Sequence, residues 1–180
     1  MKLITSIVYA PSEYDKDIGR AYNEIMERTD AEYVAFLDHD AMFTTKDWYH
    51  QICEIIETNP DAGLFTAKTN RIWAHPQRHE VVKGHDVLQH RQEGKKIQSQ
   101  SRNKVSDYPL RARGQGYVSG VLMVVKKEAW KKVKFTGGFL GVDNNFHRDV
   151  LAAGYRALLM EGVYLYHFYR GDGDKSHLKK

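Results

Sequence analysis

Tyr33-Val34-Ala35-Phe36-Leu37 runs straight into Asp38-His39-Asp40. Five apolar or aromatic residues in a row fall far short of the roughly 20 needed to cross a membrane, and they predict a strand buried on both faces. The run then stops at two carboxylates that flank a histidine. In an open α/β sheet, ligands bind just outside the carboxyl ends of the strands. Two hard oxygen donors with one residue between them suit Mg²⁺ or Mn²⁺ there. The same acids also suit the plainer task of ending a strand and capping a turn.

The surrounding pattern sets the fold class. Lys2 to Ala10 reads as a first strand, its polar residues arguing against a secretory signal. Ile18, Ala21, Tyr22, Ile25 and Met26 repeat at helical spacing between Asp17 and Arg28. Thr45 is placed to cap a second helix, with Asp47 in its first turn, Trp48, Ile52, Ile55 and Ile56 as its buried stripe, and Asn59-Pro60 as its stop. Gly63–Ala67 adds a strand. This alternation predicts one α/β domain over residues 1–180, a mostly parallel, Rossmann-like sheet flanked by helices. Further on, Tyr117–Val125 reads as a strand containing Gly120, a glycine that admits a close approach. A helix Lys127–Val133, a helix Asp143–Ala153 and two strands, Arg156–Met160 and Val163–Phe168, complete the prediction.

Charge is unevenly spread. Between Thr66 and Gly116 there are eleven Lys and Arg against four Asp and Glu, so this segment carries the positive excess of a chain whose net charge is +4. Residues 70–116 are expected to form an irregular, acceptor-side loop or lid, with one short helix near Asp86–Glu93; a merely solvated loop is the plainer reading. Residues 170–180 form a basic tail. Such charge suits phosphates or an acidic acceptor. Nucleic acid has only the charge in its favour, and none is expected as a partner. No stretch has the length of a membrane helix. The single Cys53 excludes an internal disulfide and a cysteine-rich zinc site, so a cytoplasmic location is expected.

Three further signals fall in a fixed order: Ser119-Gly120-Val121, then Gly137-Gly138-Phe139 followed by Val142-Asp143 at the start of a helix, then a last strand ending in His167. Together with Asp38-His39-Asp40 and the helix segment Gly19 to Asn23, this order resembles the family 2 glycosyltransferases of the GT-A fold, in a shortened form of bacterial or phage type. The resemblance covers nearly the whole chain. It implies that Asp40 binds a divalent ion, Mn²⁺ or Mg²⁺, that Asp38 touches the ribose or the ion's water, and that His167 is a further metal ligand or a diphosphate contact. It implies that Asp143 is the general base that deprotonates an acceptor hydroxyl, with inversion at the sugar. The donor would be a nucleotide sugar, a UDP-sugar above all, and the acceptor a carbohydrate or another hydroxyl compound. Gly120, Gly137 and Gly138 would let the backbone approach the donor. Ala10 and Pro11 would contact the nucleotide, and Arg170 would fold over the diphosphate. Trp73 and Tyr117 are candidates for stacking on a sugar.

Two departures stand out. Only one strand and one helix precede Asp38, so the nucleotide-binding half is expected to be truncated. Val142 stands where the family has Glu. Asp143 also stands where a helix N-cap would, and His167 where a core histidine would. A non-catalytic sugar-binding module, a nucleotidyltransferase and a nucleotide-sugar hydrolase therefore stay open beside the transferase.

Overall fold

The buried run is the strand β2 (Tyr33–Leu37), with all five residues buried. In the computed structural model, which describes residues 1–7, 16–108 and 116–168, it lies one strand in from the edge of a seven-stranded mixed sheet. The other strands are β1 (Leu3–Ile7), β3 (Ala41–Phe43), β4 (Ala62–Thr69), β5 (Val105–Asp107), β6 (Leu122–Lys126) and β7 (Arg156–His167). Their order is β1-β2-β6-β4-β7-β3, with β5 also pairing with β7. The pairings run β1, β2, β4 and β7 in one direction and β3, β5 and β6 in the other. Strands sharing a direction end at the same edge of the sheet. The residues after β2 and β4, the end of β7 and the loop entering β6 therefore meet there.

Both faces of the sheet are covered, as the apolar run demands. Tyr33, Ala35 and Leu37 pack on one side with α2 (Trp48–Thr58), through Ile52, Ile55 and Ile56. Val34 and Phe36 pack on the other with α1 (Ile18–Arg28), α4 (Lys127–Val133) and α5 (Val142–Ala152), through Tyr22, Met26, Trp130 and Phe146. Successive side chains of a strand point to opposite faces, so a strand clad on both sides shows no polar alternation.

Several local expectations change. The two predicted final strands are one, β7, whose register against β4 shifts between Met160 and Tyr164. Gly162 lies in this irregular stretch, where a Cβ would stand 2.3 Å from the Ser101 carbonyl oxygen. The short helix expected near Asp86–Glu93 is present but runs on as α3 (Val87–Ser101), a 15-residue helix capped by Asp86, whose carboxylate accepts from the Leu88 and Gln89 amides at 2.9 and 3.2 Å. It packs closely on the rest of the fold: a Cβ at Gly94 would stand 2.0 Å from the Thr44 hydroxyl. Asp47, not Thr45, takes the cap position of α2, and its carboxylate binds Arg102 and Gln98 instead of the helix amides. β6 begins at Leu122, five residues later than predicted. Among the described residues, no helix is long and apolar enough to cross a membrane.

α1 also fastens the glycine-rich loop that follows α4. The Asp17 carboxylate accepts from the Arg20 amide at 2.8 Å and from the Gly138 amide at 2.7 Å. At Gly19 a Cβ would stand 1.9 Å from the Thr136 carbonyl oxygen, so only glycine fits. Asn23 accepts from the Trp130 indole at 2.8 Å and the Phe135 amide at 2.9 Å, and donates to the Phe135 carbonyl at 2.9 Å. Removing this side chain strands two donors and an acceptor between helices. Asn23→Ala is expected to destabilise the fold by roughly 2–3 kcal/mol, measured as the shift in the urea unfolding midpoint.

Candidate active site

After β2, the chain turns at Asp38-His39-Asp40 and crosses the end of the sheet to become β3. The Asp38 amide donates to the Val121 carbonyl at 3.1 Å, and the Asp38 carbonyl accepts from the Ala41 amide at 3.1 Å. β3 then pairs antiparallel with the end of β7, Ala41 opposite His167. The Phe168 amide donates to the Asp40 carbonyl at 2.9 Å. This crossing places Asp40 Oδ1 3.2 Å from His167 Nε2. One ligand atom each from Asp38, Asp40 and His167 falls within 4.8 Å of the others. The exposed His39 is not in this group.

His167 is held in orientation by β4's exit. Asn70 accepts from the His167 amide at 2.7 Å and donates to its carbonyl at 3.1 Å. His167 Nδ1 lies 2.8 Å from the Arg71 carbonyl oxygen. A carbonyl only accepts, so Nδ1 carries the hydrogen, and in the neutral ring Nε2 presents a lone pair toward Asp40. A lone pair set against a carboxylate invites a cation between them. Two carboxylates and one imidazole with its second nitrogen bonded to a backbone carbonyl suit a divalent ion of the Mn²⁺ or Mg²⁺ type.

Asp38 also faces a second space. A cavity of about 150 Å³ is lined by Ile18, Tyr22, Asp38, Gly120, Phe139 and Asp143, among others. Asp143 sits in the first turn of α5; the cap position belongs to Gly141, whose φ of 77° is the left-handed conformation suited to glycine. Asp143 accepts from the Gly120 amide at 2.8 Å and from the Asn144 amide at 2.9 Å. Burial raises its carboxyl above the ordinary Asp range, while those two amides pull the other way. Burial likewise raises Asp38, opposed chiefly by His167 when its ring carries a charge and reinforced by Asp40 and Asp143. The Tyr22 phenol, which lines the same cavity, is pushed up by burial and by the charges of Asp38 and Asp143. A carboxyl raised in the folded state contributes stability that is present below its unfolded pKa of about 3.9. That contribution is lost as the pH rises through the folded value. At neutral pH both acids therefore strain the fold.

Against this geometry, a sequence model of a glycosyltransferase-like family matches residues 7–146. The chain belongs to that family. No curated protein matches the sequence. The family implies a sugar donor and a sugar acceptor for this glycosyltransferase-like chain, and its α/β sheet with acids at the strand end is GT-A-like.

The expected residues divide as follows. Asp38, Asp40 and His167 come together, Asp38 and Asp143 share a cavity, and Gly120 bonds Asp143. Gly137 and Gly138 are not among the residues lining that cavity; Gly137 lies on the α1 side beside Asp17, and Gly138 is bonded to Asp17 and Gly19. Ala10, Pro11 and Arg170, with the rest of the basic tail, lie outside the described residues. Trp73 is 80% exposed, and Tyr117 sets its ring edge on to His147. Asn70 is the member the sequence reading missed: nothing marks an asparagine after a strand as the support of a histidine 97 residues away. Asn70→Ala leaves a buried amide and carbonyl of His167 without their partner, and is expected to cost roughly 2–3 kcal/mol by urea unfolding.

Proposed function

We propose that this chain is a metal-dependent, inverting glycosyltransferase that moves a hexosyl group from a nucleoside-diphosphate sugar, a UDP-sugar first among candidates, to a hydroxyl acceptor. It would act in the cytoplasm. The observation that carries the reading is the sharing of one space by two differently equipped acids. Asp38 belongs both to the Asp40–His167 group and to the cavity that Asp143 also lines.

Sugar transfer from a diphosphate needs two separate services. The leaving diphosphate must be stabilised, and the acceptor hydroxyl must lose a proton to become an adequate nucleophile. Asp38, Asp40 and His167 would hold Mn²⁺ or Mg²⁺, which when bound neutralises charge on the departing nucleoside diphosphate. Asp143 would take the hydroxyl proton as the acceptor oxygen bonds to the anomeric carbon and the bond from that carbon to the diphosphate oxygen breaks. The attacking oxygen and the leaving group are then on opposite sides of the carbon, and the configuration inverts. The Gly120 and Asn144 amides hold the Asp143 carboxylate in one orientation while leaving it a second acceptor lone pair on each oxygen. Val142 is 2% exposed and packs in the core, so proton acceptance rests on Asp143 alone at that position.

Calorimetry with UDP and GDP, in Mn²⁺ and in EDTA, tests the donor half. Nucleotide binding is expected to need Mn²⁺, to disappear in Asp40→Ala and to survive in Asp143→Ala. Equal binding with and without the ion would overturn it. Mn²⁺ alone at 100 times its Kd is expected to raise the stability of the wild type by about 2.7 kcal/mol, read as a rise in Tm, and to leave Asp40→Ala unmoved.

The acid limb of the rate profile tests the base. Asp143 must be ionised to accept a proton, and its carboxyl is raised by burial. Activity is therefore expected to fall, as pH is lowered, at a value above the ordinary Asp range. Asp143→Asn should lower kcat by roughly 10²–10⁴, and retained turnover in that variant would remove the assignment.

A further inference from the structure

Gln77 ends the short 3₁₀ turn His75–Gln77 and is fully buried, although nothing in the proposed reaction calls for it. Its side chain spends every polar atom on the loop that enters β6. Nε2 donates to the Thr66 hydroxyl at 2.9 Å and to the Ser119 carbonyl at 3.3 Å. Oε1 accepts from the Ser119 amide at 2.7 Å and lies 3.3 Å from the Tyr108 hydroxyl, whose single hydrogen it shares with the nearer Tyr117 carbonyl at 3.0 Å. The orientation of the amide is not open to a flip. The Thr66 hydroxyl gives its hydrogen to the Leu122 carbonyl, so toward Gln77 it accepts, and the Ser119 amide can only donate.

The Ser119 carbonyl and the Gly120 amide are two ends of one peptide unit. Gln77 grips the first end, and the second donates to Asp143 Oδ2 at 2.8 Å. The flanking residues are also tied, Val118 through its amide to His147 Nδ1 at 3.3 Å and Val121 through its carbonyl to the Asp38 amide at 3.1 Å. The loop is thus fastened residue by residue and lacks strand partners of its own until Leu122. Gly120 has no Cβ to resist rotation, so the angle of its amide depends on what holds the other end of the peptide.

We infer that Gln77 is a positioning residue: it fixes the Ser119–Gly120 peptide so that the Gly120 amide keeps the Asp143 carboxylate aimed into the cavity. The inference deepens the transferase reading and rests on Asp143 being the base. With Gln77 removed, the Ser119 carbonyl and amide lose their partner, the peptide swings, and Asp143 loses one of its two backbone donors. A displacement of about an ångström at a reacting group can cost 10²-fold in rate.

Three variants test it: Gln77→Met, Gln77→Glu and Tyr108→Phe. Tyr108 reaches Gln77 and the Tyr117 carbonyl but not the Ser119–Gly120 peptide. Tyr108→Phe therefore loosens the same buried network without freeing the peptide. Gln77→Met is expected to lower kcat at least tenfold with the donor KM changed less than threefold, and to accelerate hydrogen exchange of the Gly120 amide. Tyr108→Phe is expected to lower Tm while leaving kcat and Gly120 exchange near wild type. If Gln77→Met does not fold, Gln77→Glu decides. It keeps an acceptor for the Ser119 amide but no donor for the Ser119 carbonyl, and it should show the same loss of kcat and of Gly120 protection. Unchanged Gly120 exchange in the Gln77 variants, or a kcat loss no larger than in Tyr108→Phe, overturns the inference. Retained turnover in Asp143→Asn is a different result: it removes the base assignment, while Gly120 exchange still reports whether Gln77 holds the peptide.

Discussion

The three-residue pairing of β3 with the end of β7 is the contact on which the candidate site depends. A strand of three residues stabilises little by itself. Here its role is geometric, because it carries the chain from β2 across the edge of the sheet and lays Asp40 over His167. The Asp40 carbonyl and the Phe168 amide close the far side of the crossing, and Asn70 secures β7 from β4. Without that crossing, the second acid of Asp38-His39-Asp40 would have no histidine to face.

Charge explains why so much of the nearby backbone is tied down by side chains. Asp38 and Asp143 are both raised by burial, and the charge of Asp143 raises Asp38 further. Their ionised forms persist only where fixed donors or a cation compensate. Asp143 has two backbone amides for this purpose, whereas the acids of the Asp38–Asp40 pair face a histidine and a position suited to a cation. The division matches the chemistry proposed for them: one carboxylate free to take a proton, the others committed to a cation. Strain of this kind belongs at functional sites, and the two apolar layers around β2 supply the stability that tolerates it.

The parts of the fold that could be read from the chain were those written in local period. Ile18 to Met26 and Ile52 to Ile56 repeat as helices must, and the run Tyr33–Leu37 could only be a strand covered on both sides. Only the start of α3, near Asp86–Glu93, could be read from the chain, because its buried positions are His90, Gly94 and Ile97. A glycine chosen for close packing and a histidine bonded to Tyr164 leave no apolar stripe to detect. β3 escaped because three residues show no period at all. The loop 118–121 reads as strand because it runs into the apolar stretch of β6, yet its hydrogen bonds to Gln77, His147 and Asp143 take the place of pairing with a neighbouring strand.

The sequence by itself determined that Tyr33–Leu37 is a buried strand, that the helices on either side of it are helices, and which acids stand at the strand's end. These depend on residues within one or two turns of one another, where spacing alone selects the structure; the order of motifs that leads to the glycosyltransferase-like family is likewise written along the chain and needs no contact to be read. Only the tertiary structure decided that Asp40 meets His167 and that Asp38 and Asp143 share a cavity. It alone showed that Asn70 and Gln77, two unremarkable amides, hold the pieces in place. Those meetings join residues from 42 to 127 positions apart, and contacts at such separation are set by which strand ends the sheet brings to one edge, a property that no local pattern encodes.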